Sequence, residues 1–407
     1  MLLLISLDAV GTDKFQLILK HERLKKYLNR ASYVNEVSSV FVSNTYVAHA
    51  SIVTGVLPKK HKVIENFVFD PGNLKPDWNW FESCIKTDNL FRAANRNKLK
   101  VASLLWPVTA KAPVKYNIPE ILPRGKETQL MASLKNGPKL FQLEMIFKYG
   151  RLLRGVRQPA LDNFAFACLL DVIKNKKPDL IFSHFTDVDT NDHMYGPHSK
   201  ESYDAVDRHA ERLEKLFKNL EKNKLLEKTT MLIFGDHSCL ESQKEYCPNE
   251  ILKQLGMADF KGHKLRSYSA WFKSCGGSAF LKLYDKSKLG LIEKKLDEMI
   301  KEGGPVKRLL SKGEMDESGF SDGYVLGIEA AENYYFYELE NDVHKGSHGY
   351  SLRQPGYTTS IIALGKGIRK NIIAPKGSIM DICPTALRIL NIEPWETDGR
   401  ALTELLL

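Results

Sequence analysis

The stretch LLLISLDAV at residues 2–10 decides the fold. Its first six residues have no polar face, as expected of a strand buried on both sides in a parallel sheet covered by helices. An aspartate, Asp8, stands where the run ends. The arrangement recurs: DLIFSHF (179–185) runs on to Asp189 and His193, and TTMLIFG (229–235) runs into Asp236-His237. His348 stands in KGSHGY at 345–350. Open α/β sheets bind ligands in the crevice beyond the carboxyl ends of their strands, so Asp and His repeated at such ends mark a site.

Working outward, residues 14–29 are amphipathic and read as the helix returning from the first strand. Ser43-Asn44-Thr45 precedes YVAHASIVTG, a helix starting at or near Thr45. VASLLW (101–106) reads as another strand. Residues 107–160 carry scattered Pro, Gly and Lys and read as irregular covering structure. LDNFAFACLLDVI (161–173) has helical periodicity, and 200–222 places Val206, Ala210, Leu213, Phe217 and Leu220 on one helical face. Helices between parallel strands imply right-handed crossovers. The expected fold is therefore α/β: a doubly wound, mostly parallel sheet flanked by helices.

Residues 240–340 differ. SAFLKLY, a charged helix over 285–302 and NYYFYEL suggest a small α+β insertion that caps a core made of 1–239 and 341–407. The core resumes at His348 with TTSIIALG and closes with a helix in DICPTALRILNI. No internal repeat or low-complexity linker interrupts the chain.

With 43% hydrophobic residues over 407 positions the chain is globular, which excludes disordered and fibrous classes. Its net charge of +10 is spread over scattered lysines, with short clusters such as KNKK at 174–177, and favours a small anionic partner. No helix-turn-helix, RNA-recognition or zinc-finger pattern appears, so specific nucleic-acid binding is not expected. No run approaches the roughly 20 apolar residues of a membrane span. MLLLISLDAV lacks a basic leader, and the expected compartment is the cytoplasm. The six cysteines form no CxxC motif and read as buried thiols. Cys239 and Cys247 are the two near enough in sequence to pair.

Carboxylate oxygen together with imidazole nitrogen suits zinc, with manganese as the other choice; magnesium prefers an all-oxygen shell. Asp189 and His193, four residues apart, can reach one ion with His348 as third ligand, and Asp8, Asp236 and His237 can hold a second. Two ions about 4 Å apart clamp a phosphoryl group during in-line displacement. Thr45 is the candidate nucleophile, at a helix start whose amides favour an anionic phosphate. Its other role is helix N-cap. His49 and His61 read as groups behind the ligands or on the surface, and His184, within a strand, as a satisfied core histidine.

The ordered motifs resemble the nucleotide pyrophosphatase/phosphodiesterase family of the alkaline phosphatase superfamily. SLDAVG is similar to the opening strand with its metal-binding Asp. NTYVAHASIVTG is similar to T-F-P-N-H-x-x-I-V-T-G, and LPKKHKVIEN to Y-P-x-x-H-G-I-x-x-N. DVDTNDHMYGP is similar to P-D-x-x-G-H-x-Y-G-P, IFGDHS to D-H-G, and GSHGY to the last histidine motif. DICPTALRILNIEPWETDGRAL resembles the closing helix and turn. The resemblance covers most of 1–240 and 345–407.

It implies an alkaline phosphatase-like core with two zinc ions. One would be bound by Asp189, His193 and His348, the other by Asp8, Thr45, Asp236 and His237. Asn66 falls on the asparagine that donates to a phosphate oxygen, working with the Thr45 amide as an oxyanion clamp. The implied reaction is hydrolysis of a phosphodiester or phosphoanhydride in a small molecule or nucleotide, through a phosphothreonine. Val47-Ala48 for Pro-Asn, Ser238 for glycine and Lys62-Val63 for Gly-Ile depart from the pattern at the pocket wall, which leaves substrate identity open. The alternatives are a phosphomonoesterase, phosphonate hydrolase or phosphoryl transferase with the same site, or a non-catalytic phosphate-ligand binding protein. Sulfatase is disfavoured, since C-x-P-x-R is absent. Oligomeric state is left open.

Overall fold

The computed structural model describes residues 1–339 and 344–407. The chain builds β1 (Leu2–Leu7), β2 (Ser32–Ser38), β3 (Val101–Leu104), β4 (Tyr116–Ile118), β5 (Leu180–Phe185) and β6 (Thr230–Phe234). There follow β7 (Leu240–Tyr246), β8 (Ala258–Lys261), β9 (Lys264–Tyr268), β10 (Ala270–Ser274), β11 (Ser278–Leu283), β12 (Val306–Leu309), β13 (Leu326–Ala330) and β14 (Asn333–Phe336). The chain returns with β15 (Gly346–Ser347), β16 (Thr359–Gly365) and β17 (Ile373–Ser378). Eight strands form one sheet in the order β17-β2-β16-β6-β1-β5-β3-β4. Only β16 is antiparallel to its neighbours β2 and β6, and the other seven strands run in one direction.

Alternation along β1 shows why the sheet is covered twice. Leu2 and Leu4 enter a core shared with Val47 and Ile52 of helix Thr45–Thr54 and with Ala386 and Leu387 of helix Ile382–Leu390. Leu3, Ile5 and Leu7 enter another, shared with Phe15 and Ile18 of helix Thr12–Lys20, Leu169 of helix Ala160–Asp171 and Leu213 of helix Lys200–Lys222. A strand with a wet face would have to alternate apolar and polar; LLLISL does not.

A third core belongs to β10-β11-β13-β12, an antiparallel sheet. Trp271, Phe272, Leu281 and Ile328 pack there against Ile292 and Leu296 of helix Leu289–Lys301. The proposed boundary between insertion and returning core, at 340 and 341, lies outside the described residues.

Three local expectations need correcting. The stretch 14–29 is two helices, Thr12–Lys20 and Lys25–Leu28, because the chain leaves helical geometry at His21 (φ −67°, ψ 126°), which lets Leu24 and Leu28 turn inward. The strand over 101–106 ends at Leu104, since Leu105 takes a positive φ of 54°. The segment 107–160 is not irregular throughout: it holds β4 and helices Gln129–Lys135 and Lys139–Tyr149. The last helix escapes periodicity because it is apolar on two faces, with Phe141 and Met145 buried and Leu140, Leu143 and Phe147 exposed. All six cysteines are free, as expected of unpaired thiols, and Cys239 and Cys247 do not pair.

Candidate metal centre and nucleophile

Because β6, β1 and β5 are adjacent and parallel, their carboxyl ends lie side by side. Asp8 leaves β1, Asp236 and His237 follow β6, and Asp189 and His193 sit on helix Asp187–Tyr195 just after β5. Gly235 makes the turn out of β6 possible: a Cβ there would collide with Thr359 Oγ1 and the Val10 carbonyl.

His237 is the centre of the cluster. Its Nε2 is 3.4 Å from Asp8 Oδ1, 3.2 Å from Asp236 Oδ2 and 3.3 Å from Thr45 Oγ1. One set of mutually close ligand atoms joins Asp8, Asp236 and His237, and a second joins Asp189, His237 and His348. His193 Nε2 stands 3.4 Å from Asp189 Oδ1, and His348 Nε2 4.0 Å from the same oxygen. All the residues singled out in the sequence therefore meet in one crevice, but His237 stands between the two sets instead of belonging to one, and His193 reaches the second through Asp189.

The hydrogen bonds behind the cluster fix which atoms face inward. The three imidazoles each direct Nδ1 at an oxygen: His193 at Gly346 O (2.8 Å), His348 at Asn44 Oδ1 (2.9 Å) and His237 at Ser238 O (3.2 Å). Donation from Nδ1 leaves Nε2 as the lone pair, the arrangement that metal-binding histidines use. The carboxylates are similarly divided. Asp236 Oδ1 accepts from Ala9 N (3.2 Å), and Asp8 Oδ2 lies 3.2 Å from His184 Nε2. Asp8 Oδ1, Asp236 Oδ2 and Asp189 Oδ1 are buried and have no hydrogen-bond partner among the described residues. Orphaned buried carboxylate oxygens are costly and call for a cation. The donor set fits divalent ions of the zinc or manganese type.

Electrostatics agree. Burial, then repulsion from Asp236 and Asp189, pushes the Asp8 carboxyl well above its ordinary range. Burial opposes ionisation of Asp189 too, yet His193, His348 and His237 hold it below the usual value. Burial would lower His193, but the Asp189 carboxylate and the Gly346 carbonyl outweigh it and raise the group to about 9. Burial, with His237 and His193 nearby, keeps His348 neutral.

Thr45 opens a helix whose ten residues are all buried, ending at Gly55 in the left-handed region (φ 73°). As the first helical residue, its amide has no intrahelical acceptor. Asn66 Oδ1 accepts from Tyr46 N (2.9 Å); an N–H can only meet the oxygen, so the Asn66 Nδ2 is the end left to donate.

Several residues were not singled out by sequence. Asn44 Nδ2 donates to Glu65 Oε1 (2.9 Å), which also accepts from Asn66 N (2.6 Å), so Glu65 ties His348 to Asn66. Asp192 is held by buried Lys14 and by Ser202, pinning the turn that carries His193. His49 and His61 are fully buried, which corrects the surface alternative: His49 contacts Thr45 O (2.7 Å) and Ser6 Oγ (3.0 Å), and His61 contacts Ser51 Oγ (2.8 Å). His184 is buried as expected, but it links Asp8 to Glu120 Oε2 (3.3 Å). Pairs such as Asn44–His348, 304 residues apart, and Lys14–Asp192 carry no motif.

Beyond Thr45 lies a cavity of ≈ 480 Å³ lined by Phe67, Trp78, Lys273, Tyr335 and His344. Lys273 is buried 2.8 Å from Glu338 and lies over the Phe67 ring. His344 packs against His193, ring centroids 4.8 Å apart.

Comparison with known proteins bears on this geometry. Residues 2–351 match the family model described as type I phosphodiesterase / nucleotide pyrophosphatase. The bis(5'-adenosyl)-triphosphatase ENPP4 of Bos taurus is 22% identical over 98% of this chain and 80% of its own length. Venom phosphodiesterase 2 of Crotalus adamanteus is 24% identical over 56% of this chain, and the match spans about a quarter of that protein, 25%. Murine ectonucleotide pyrophosphatase/phosphodiesterase 5 superimposes with a TM-score of 0.72 at 18% identity, covering 100% of both chains. An inactive variant of the murine protein in complex with AMP gives the same score, 0.72. The structural likeness carries the alkaline phosphatase-like fold.

Proposed function

The chain belongs to the type I phosphodiesterase and nucleotide pyrophosphatase family and is a hydrolase acting on phosphoric ester bonds, and on that premise we propose that it cleaves small phosphodiesters or nucleotide phosphoanhydrides at a two-metal site with Thr45 as nucleophile. The observation that carries the reading is the convergence of three orphaned carboxylate oxygens and three imidazole Nε2 atoms beside the Thr45 hydroxyl. Asp189, His193 and His348 would hold one divalent ion, most simply zinc. Asp8, Thr45, Asp236 and His237 would hold the other, with His237 near enough to both sets to fix their spacing. When bound, such ions supply Lewis-acid charge at the phosphoryl oxygens and make a hydroxyl ionisable near neutral pH.

The chain's own residues supply the rest. Thr45 Oγ1 forms the bond to phosphorus as the bond to the leaving oxygen breaks, and water then hydrolyses the phosphothreonine. Asn66 Nδ2 donates to a phosphoryl oxygen, its orientation fixed by Tyr46 N. The wall of Phe67, Trp78 and Lys273 gives room for a second, partly aromatic substituent on phosphorus, which supports a diester or nucleotide over a simple monoester. The names of the relatives, a bis(5'-adenosyl)-triphosphatase and a venom phosphodiesterase, point the same way.

The test is steady-state hydrolysis of bis-p-nitrophenyl phosphate against p-nitrophenyl phosphate, before and after chelation and reloading with zinc or manganese. Diesterase activity that chelator abolishes and metal restores is expected. Full activity in strong chelator would refute the two-metal reading, and a preference for the monoester would move the activity to a phosphomonoesterase.

A further inference from the structure

Helix Lys139–Tyr149 turns Phe141, Gln142 and Met145 inward, yet its outer face is apolar too. Leu140 is 86% exposed, Phe147 93% and Leu143 45%. Spaced at i, i+3 and i+7, the three share one stripe. Helix Gln129–Lys135, which packs against it, adds exposed Leu130 and Met131, and the chain beyond adds Leu152 and Val156. An exposed apolar stripe on a helix whose other apolar face already fills the core marks a surface that is covered by a partner or a membrane interface. Among the described residues nothing covers this one.

Charge indicates the covering phase. Residues 121–160 contain eight Lys and Arg against two Glu, a net +6 in a chain whose total is +10. Lys126, Lys139, Arg151, Arg154 and Arg157 are exposed around the apolar stripe. An apolar stripe with a basic border is the pattern of segments that lie in the headgroup region of anionic membranes. A cavity of ≈ 480 Å³ also opens here, with exposed Leu122, Leu130 and Val156 at its mouth and Ile118, Ile146 and Phe164 within. It shares only Trp78 with the cavity beside Thr45. Acyl chains can fill such an opening, whereas a folded partner would need a projecting apolar segment to do so.

We propose that the surface formed by residues 129–157 docks on an anionic phospholipid bilayer, with Leu140, Leu143 and Phe147 inserted at the headgroup boundary. The inference uses no residue of the metal site and stands apart from the catalytic reading.

Co-sedimentation of the full chain with phosphatidylcholine vesicles and with mixed phosphatidylcholine–phosphatidylserine vesicles tests it. Binding to the mixed vesicles is expected, weaker on phosphatidylcholine alone and weakened by salt. The double variant L140E/F147E should bind on the order of a hundredfold more weakly, from loss of two inserted apolar side chains. R151E/R154E should reduce binding to mixed vesicles only. Both variants alter exposed positions, and unchanged thermal melting establishes that they are folded. Absence of wild-type binding, equal binding by L140E/F147E, or no preference for phosphatidylserine would overturn the proposal. So would a wild-type dimer in light scattering that L140E/F147E dissociates without any vesicle binding, which would assign the face to a second copy.

Discussion

Asn44→Ala should loosen the metal centre without touching a ligand. Asn44 accepts the Nδ1 proton of His348 at 2.9 Å and donates to Glu65 at 2.9 Å, so the imidazole is oriented by a side chain that is itself oriented. Alanine frees the ring to rotate and lets either tautomer form, and it takes one donor from the buried Glu65. Removing such a partner of a metal-bound histidine weakens metal affinity about 10–100-fold, or roughly 1.4–2.7 kcal/mol. The assay is competition for zinc against a chromogenic chelator at one pH, with melting of the metal-free protein measured in parallel. Glu65→Gln should give a smaller loss in the same direction, because Asn44 keeps an acceptor. Affinity within twofold of wild type in Asn44→Ala, with normal melting, would refute the reasoning that His348 is a positioned ligand.

Thr45→Ala should abolish the phosphothreonine, detected by acid quench and mass measurement, while leaving zinc binding within a few fold; normal turnover would exclude Thr45 as nucleophile. Asn66→Ala should lower kcat on the order of 100-fold, the loss of one oxyanion donor, with KM for the diester changing less; an unchanged kcat would show that Asn66 does not reach the phosphoryl group. His61 gives a pH prediction. Burial lowers its pKa from 6.5 to about 3, and Val63 N donates to Nδ1 (3.1 Å), so the folded state holds the neutral form. Its folded pKa lies below the unfolded one; the stability linked to it is present above about 6.5 and is lost as pH falls toward 3. Melting temperature should therefore drop below pH 6.5, and less steeply in a His61→Gln variant that folds; parallel acid profiles would argue against the assignment.

The parts of the fold that the sequence made legible are those governed by local chemistry. LLLISL is readable because burial on two faces forbids polar alternation, and Asp8, Asp189 and Asp236 are readable because a charged group ending such a run needs a reason. The direction of β16 was not legible, since a buried strand looks the same read from either end and only pairing with β6 and β2 sets its sense. Helix Lys139–Tyr149 was missed because periodicity detects contrast between faces, and here both are apolar. Asn44, Glu65, Glu120 and Lys14 were missed for another reason: each acts through a partner between 21 and 304 residues away, a relation with no local trace.

His348 shows how far the site depends on such distant relations. It lies just past β15, which pairs with β7, so the chain between β7 and β15 supplies most of the smaller sheet's core. Within that core, Gly277 N donates to the His348 carbonyl (2.8 Å) and Ser278 Oγ to the Gly349 carbonyl (2.6 Å). Gly276 adopts φ 73°, and a Cβ there would collide with the His348 carbonyl oxygen, so a side chain would have no room. The ring of His348 is thus fixed from the central sheet through Asn44, and its backbone from the smaller sheet through the β10–β11 turn. Between those two anchors the Nε2 is directed at Asp189. The smaller sheet is therefore part of the candidate metal centre: a substitution that shifts the β10–β11 turn should move His348, even though that turn supplies none of the proposed ligands.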